Sequence, residues 1–553
     1  MPNLATLLQQ HLATPEKVLY RQWRDDAWRD YSAGDIASLA GRWQRAFRDH
    51  GLQAGDRVAI ALRNGVDWWA VDLAALGLGL VTVPLYPDDN GENWAWILSD
   101  SGARLLVAEN TRLLPALTGL MAQLPTVICL QDEAPSPAVP ASTWLPESGG
   151  EFAVADPPAD TLATLVYTSG TTGRPKGVML SHGNILANVE AVLDVVALGD
   201  DLLISILPLA HMFERTCGYY APLKAGVPVA AMRSINQLAE DLATLHPTVM
   251  IAVPRVFERF LKRIEQALAR SPVKLALFRL TVAMGWRRFQ GRASFLERTL
   301  YPLLQRLVGR PILQRLGGRL RLPVVGGAPV ELRIAKVFIG LGLNLIHGYG
   351  LTEASPVVAA NREGDNDPAT VGRPVPGVEV KVNQAHELLV RGPSVMRGYW
   401  NRPDATAAVL DSDGWLNTGD QADVVAGRIT IKGRTKDILV LSNGEKLPPT
   451  DIETAILDDP VFEQVTLAGE GRPYLILLAV TRESDEKLLL KRANAQLRHF
   501  PRHARLRRVI ALKEPWTVEN GLLTPTQKAK REALYRRFRE EIEKVYREGI
   551  RTV

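Results

Sequence analysis

Residues 167–181, YTSGTTGRPKGVMLS, concentrate the side chains that surround a phosphate. Gly170, Gly173 and Gly177 let the backbone take positive φ and come close to a ligand. Exposed backbone N–H groups, the hydroxyls of Thr168, Ser169, Thr171 and Thr172, and the ammonium of Lys176 can then encircle phosphate oxygens. The spacing is not that of a Walker A loop, in which the lysine is followed by the Ser or Thr that holds magnesium. Here Lys176 is followed by Gly177. Residues 162–167, apolar and partly β-branched, have the character of a buried strand, so the loop hangs from a strand end.

The run resembles the signature of the adenylate-forming superfamily, which holds acyl-CoA synthetases, firefly luciferase and the adenylation domains of peptide synthetases. The chemistry this implies is attack of a carboxylate oxygen on the α-phosphorus of ATP, with pyrophosphate leaving. Two anions must approach, so cations and a metal have to screen them. In GYGLTEASP (348–356), after the apolar strand-like residues 343–346, Glu353 is then a magnesium ligand rather than a base. Capping a short helix after Thr352 is its other use. By the resemblance, Thr168 shares the metal with Glu353, Tyr349 lies against the adenine, and Gly350 and Thr352 belong to the nucleotide pocket. Gly326-Gly327-Ala328-Pro329, after the apolar residues 322–325, looks like the adenine-pocket turn of the family; a plain β-turn is the competing reading. Val325 stands where the family usually has Ser or Gly.

A carboxylate suits both hydroxyls of a ribose. Asp420, in LNTGDQAD (416–423), matches the ribose ligand of the family, and Arg434, in IKGRTKD, the arginine that reaches ribose or phosphate. Family members rotate a small C-terminal domain about a residue matching Lys436 between two half-reactions, because adenylation and thiol attack need different groups at one carbonyl. Residues 522–531, LLTPTQKAKR, then supply Lys528 to contact the carboxylate and the α-phosphate, with Lys530 an alternative in the same motif. Its charge would offset that developing on phosphorus.

LPLAHMFER (207–215) and VPRVFER (253–259) resemble the long-chain acyl-CoA synthetases. Amino-acid adenylation domains place an Asp in this segment to pair with an α-ammonium. Here stand His211, Met212 and Phe213, then Glu214 and Arg215, which are expected to neutralise each other. An unpaired ammonium would be costly there, so a plain acid is favoured. His211 has two uses, lining the carboxylate end of the acid pocket or holding the fold.

These residues need a large scaffold. At 553 residues, 46% hydrophobic and 23% charged, the chain exceeds a single core and has globular composition. Strand-like runs at 57–62, 81–84, 103–108, 201–207, 227–232 and 249–253 alternate with helical ones at 35–50, 68–76, 93–100 and 182–198, which argues for a largely parallel α/β sheet. A surface connection is expected over 135–158, and a helix over 527–546. With the resemblance, the expected fold is a large multi-subdomain α/β N-terminal domain over 1–433 that binds ATP and the acid, and a small mobile α+β lid over 434–553, hinged near Lys436.

Two cysteines make no disulfide framework and show no metal-ligand spacing. No run approaches the roughly 20 apolar residues of a membrane span. The net charge of +5 fits an anionic ligand or surface. Between 260 and 320, thirteen Lys and Arg face only Glu265 and Glu297, with Trp286, Phe289 and Phe295 interleaved. A solvated basic face and a peripheral anchor on anionic lipid are both open, while nucleic acid lacks an accompanying module. The expected activity is that of a fatty acyl-CoA synthetase using ATP, Mg2+ and coenzyme A, in the cytoplasm or peripheral on the inner membrane face. The rivals are an acyl ligase serving carrier-protein phosphopantetheine and a non-catalytic nucleotide-binding scaffold.

Overall fold

The computed structural model describes residues 3–168, 174–435, 439–442, 445–524 and 528–550. Two large sheets organise the N-terminal part. The first has eight strands, with Arg57–Ala61, Val81–Pro84, Leu105–Ala108 and Thr126–Cys129 running parallel at its centre. The hairpin Leu162–Thr168 and Lys176–Ser181 extends it, its first strand parallel to Val81–Pro84 and its second antiparallel to the first, and the short strand Gly398–Tyr399 closes that edge. The second has nine strands, with Leu203–Ser205, Val229–Ala231, Val249–Ala252, Leu322–Val325 and Ile346–Gly350 parallel in the middle. Most central strands are buried along their length, which explains why they read as apolar runs without alternation.

A four-stranded antiparallel sheet, Glu379–Val382, Glu387–Arg391, Leu416–Val425 and Arg428–Arg434, completes the large domain. The small C-terminal domain is α+β: the sheet Gln464–Ala468, Leu475–Val480 and Leu506–Leu512 packs its own apolar core against helices that include Pro449–Leu457 and Glu486–Gln496.

Several expectations need correction. The hairpin Val18–Arg24 and Ala27–Ser32 was not foreseen; Asp25 and Asp26 turn it with φ of 51° and 56°, doing without glycine. The strand expected over 343–346 is Ile346–Gly350, so the GYG segment lies on the strand itself. The connection 135–158 carries the helix Ala141–Trp144, whose Trp144 packs on Trp43 and Phe47. The expected helix from 527 begins only at Arg531 and is divided at Phe538, and Leu523 bridges to Ala529 ahead of it.

Arg215 joins the two large sheets. It sits fully buried in a π-helical turn, Glu214–Tyr220, that follows a strand of the nine-stranded sheet. Its guanidinium pairs with Asp72 on the helix Val66–Gly77 and donates to Thr82 Oγ1 (2.8 Å) and Thr164 Oγ1 (2.9 Å), both on strands of the eight-stranded sheet. Tyr220 OH accepts from Arg215 Nε at 3.0 Å and donates to Asp72 at 2.7 Å. The expected Glu214–Arg215 neutralisation is therefore wrong. Consecutive helical residues point apart, and Arg215 finds its carboxylate 143 residues away. Asp72→Ala leaves a buried cation unpaired and should cost about 3–5 kcal/mol. Urea unfolding of the large domain should show this, and the double change Asp72→Leu, Arg215→Met should recover much of the loss.

Candidate active site

The phosphate loop is the connection of the edge hairpin, in which Thr168 pairs with Lys176. Ser169, Gly170, Thr171, Thr172 and Gly173 lie outside the described residues, but both ends of the loop are anchored. Trp96 Nε1–H donates to the Pro175 carbonyl at 2.9 Å, and the Arg174 guanidinium lies 4.6 Å from the Trp96 ring centre. Asp100, on the same helix as Trp96, accepts from Tyr167 OH at 2.7 Å and from Arg402 at 2.9 Å. Gly177 does not take positive φ. Its need is room: a Cβ there would lie 3.0 Å from the Tyr167 ring and 3.3 Å from Trp400 Cβ.

That close approach lets the strand Gly398–Tyr399 run beside Lys176. The Lys176 ammonium lies 5.1 Å from the centre of the Tyr399 ring, and Tyr399 OH donates to Glu353 Oε1 at 2.8 Å. Glu353 sits in the 3-10 turn Thr352–Ala354, and its carbonyl accepts from Met396 N–H at 2.8 Å. A lysine and a carboxylate 177 residues apart in sequence thus meet across one tyrosine ring. Among the described residues no three His, Cys, Asp or Glu side chains cluster as a metal cage. Magnesium carried on a nucleotide needs only one or two carboxylates, and Glu353 fits that need. The hydroxyl of Thr168 stands at the end of the neighbouring strand.

The second half of the site lies at the ends of the nine-stranded sheet. Gly326 accommodates the Phe213 ring, which would be 3.1 Å from a Cβ, and Gly327 takes φ of 75°. Ala328 offers a backbone hydrogen bond to His347, whose pKa burial pushes down to about 4. Tyr349 OH donates to Asp420 Oδ2 at 2.5 Å, and Arg434 Nε lies 3.4 Å from Asp420 Oδ1. Asp420 is buried midway along the strand Leu416–Val425, directly paired with Arg434 at the end of its neighbour. Gly350 ends the strand that carries Tyr349, and Thr352 directly precedes Glu353. Lys436 lies outside the described residues.

Lys528 comes from the small domain. Its Nζ donates to the Gly327 carbonyl at 3.0 Å, and its backbone is tied to Thr524. Burial and this nearby ammonium push His211 down to about 4, and Phe213 N–H donates to His211 Nδ1 at 3.2 Å. The imidazole is therefore neutral, with its proton on Nε2 as a donor. The segment bearing His211 is held by Asn64, which donates to the Leu207 carbonyl (2.7 Å) and Ser205 Oγ (2.9 Å) and accepts from Leu209 N–H (2.9 Å). Ser205 Oγ in turn donates to Glu214 Oε1 at 2.6 Å. Burial pushes Glu214 up to about 8, so it is largely neutral near pH 7.

The structure thus joins Lys176 to Glu353, Tyr349 to Asp420 and Arg434, and Lys528 to Gly327. Sequence reasoning missed Tyr399, Asp100, Asn64 and His347. The RGYW run at 397–400 held a tyrosine beside glycine, but nothing local connects it to Glu353.

The sequence pattern of AMP-binding enzymes matches residues 8–400, and that of the AMP-binding enzyme C-terminal domain matches 436–549. The chain is 32% identical to the long-chain-fatty-acid–CoA ligase FadD15 of Mycobacterium bovis, over 98% of this chain and 97% of that protein. It is 28% identical to the chloroplastic long-chain-fatty-acid–[acyl-carrier-protein] ligase AEE15 of Arabidopsis thaliana, over 90% and 80%. In fold it is similar to the anthranilate CoA ligase AuaEII in complex with anthranoyl-AMP, with a TM-score of 0.77, 18% identity and 98% of each chain covered. The chain belongs to the AMP-binding enzyme family, the adenylate-forming superfamily.

Tyr399→Phe should keep the fold but free the Glu353 carboxylate to turn, raising the magnesium concentration for half-saturating ATP binding by about tenfold. Magnesium titration of nucleotide binding checks this. For Glu214, the folded value near 8 lies above the ordinary 4.5. The folded state therefore holds a proton the unfolded chain has lost, and this group's contribution to stability declines as pH rises from 4.5 through about 8. Glu214→Gln should remove that decline, so its melting temperature should gain on wild type over the same interval in a thermal-shift series.

Proposed function

We propose that the protein is a fatty acyl-CoA synthetase of the long-chain branch. It activates a medium- to long-chain carboxylic acid with ATP to acyl-AMP and pyrophosphate, then passes the acyl group to the thiol of coenzyme A, releasing AMP. The observation that carries this reading is Lys528, brought by the small domain onto the Gly327 carbonyl at 3.0 Å, beside the nucleotide turn. That is where a cation must stand to offset charge as a carboxylate oxygen attacks the α-phosphorus.

The other roles follow from position. Lys176 and the phosphate loop bind the triphosphate. Glu353, held by Tyr399, and Thr168 would hold magnesium, which would screen the triphosphate charge and polarise the phosphoryl oxygens. The Asp420 carboxylate, fixed by Tyr349 and Arg434, is the acceptor for the ribose hydroxyls. Ala328 and Tyr349 flank the base. Neutral His211 presents Nε2–H to an oxygen of the acid, which keeps that group oriented without adding a second cation beside Lys528. Glu214 is largely uncharged and turned to Ser205, so it offers no counter-ion to an amino-acid ammonium, which supports a plain acid.

We place the domain boundary at 433/434, one residue before the last strand of the four-stranded sheet ends at Arg434, with the hinge near Lys436. We place the enzyme in the cytoplasm, peripheral on the inner membrane face, where its lipid-soluble substrate collects. Among the described residues no helix is long and apolar enough to cross a membrane. The plant relative favours a second acceptor, a carrier-protein phosphopantetheine. Preforming the acyl-AMP and offering either thiol separates the two: thioester on coenzyme A supports the reading, and thioester on the carrier protein alone replaces it. Lys528→Ala should abolish acyl-AMP formation yet largely spare thioester formation from supplied acyl-AMP. Equal loss of both steps would contradict the role given to Lys528.

A further inference from the structure

Among the described residues sixteen large apolar side chains are exposed, and nine of them fall between 273 and 307. They are not scattered. On the helix Phe295–Leu304 and the turn after it, Leu296, Leu300, Leu303 and Leu307 recur at helical spacing with exposures of 64%, 38%, 55% and 65%. Phe295 beside them is 88% exposed. On the packed neighbour, Pro272–Phe289, Val273, Leu277 and Leu280 form a second exposed row, while Phe278, Thr281 and Met284 are buried on the core side.

The same segment is strongly cationic. Residues 272–315 hold nine Lys and Arg against one Glu, in a chain of net charge only +5. That acid, Glu297, is engaged by Arg287. Arg279, Arg292, Arg306 and Arg310 are exposed. A merely solvated basic face needs no exposed leucine rows, and apolar patches of this kind mark an interaction surface. A second copy of the chain is a poor occupant, since an isologous contact would set the same cations against each other.

We propose that the helices over 272–310 are a docking face for an anionic lipid bilayer, lying in the interface with Phe295 and the leucine rows inserted and the arginines on the lipid phosphates. This deepens the localisation given above by naming the face, and it does not depend on the chemistry of the site.

The test is flotation of the full-length protein with vesicles of phosphatidylcholine containing about one quarter phosphatidylglycerol, against vesicles of phosphatidylcholine alone. Wild type should float with the mixed vesicles and be released by high salt. Phe295→Ser with Leu296→Ser should weaken partitioning by about tenfold. Arg292→Gln and Arg306→Gln should each weaken it by about fivefold. Thioester formation with detergent-dispersed acid, measured on the same samples, should be unchanged, which keeps this test separate from that of the catalytic reading. Wild type that ignores anionic vesicles, or variants that float as wild type does, would overturn the proposal. So would an apolar variant that converts a dimer to a monomer in sedimentation while vesicle binding persists.

Discussion

Everything in the site depends on the seam between two sheets being held in one register. The phosphate loop belongs to the eight-stranded sheet, whereas His211, the Gly326–Gly327 turn and Glu353 follow strands of the nine-stranded one. Sub-ångström placement of a triphosphate against an acid needs both halves fixed. The Arg215 guanidinium does this with directional donors, reaching Asp72, Thr82, Thr164 and Tyr220 from one fully buried fork. An apolar seam of equal volume would be as stable but would permit sliding. A charged fork in which every nitrogen donates to a fixed acceptor permits one arrangement.

The same logic extends outward. Tyr399 is a neighbour to both Lys176 and Glu353, so the positions of this cation and this acid are set by one ring on an edge strand. Tyr349 and Arg434 hold Asp420 from two sides. Lys528, by contrast, belongs to a separate domain with its own core and reaches the site through a loop. In the function proposed above, the group needed for only one half-reaction thus belongs to the smaller domain, apart from the groups needed throughout.

Much of this was legible in the sequence because it is local. Loops that bind phosphate need particular residues at adjacent positions, and parallel strands buried on both faces read as apolar runs. Hence the central strands could be read from short stretches, and Lys176, Glu353, Asp420 and Lys528 could be singled out there as candidates. What failed was non-local or lacked a turn residue. Glu214 and Arg215 looked like partners because they are adjacent, yet the helix sends them to Ser205 and Asp72. Tyr399 and Asn64 act on residues 46 and 141 or more positions away, which no window contains. The Asp25–Asp26 turn bends without glycine, and the Leu523–Ala529 bridge delays a helix whose composition invites an earlier start.

The most direct test of the central claim, that this seam joins an acid to the α-phosphorus of ATP, is exchange of labelled pyrophosphate into ATP. It is run with magnesium, without coenzyme A, across saturated acids from short to very long. The account predicts exchange that requires both magnesium and an acid and is strongest for medium or long chains. Absence of exchange with every acid, or cleavage of ATP to ADP and phosphate instead, would contradict it.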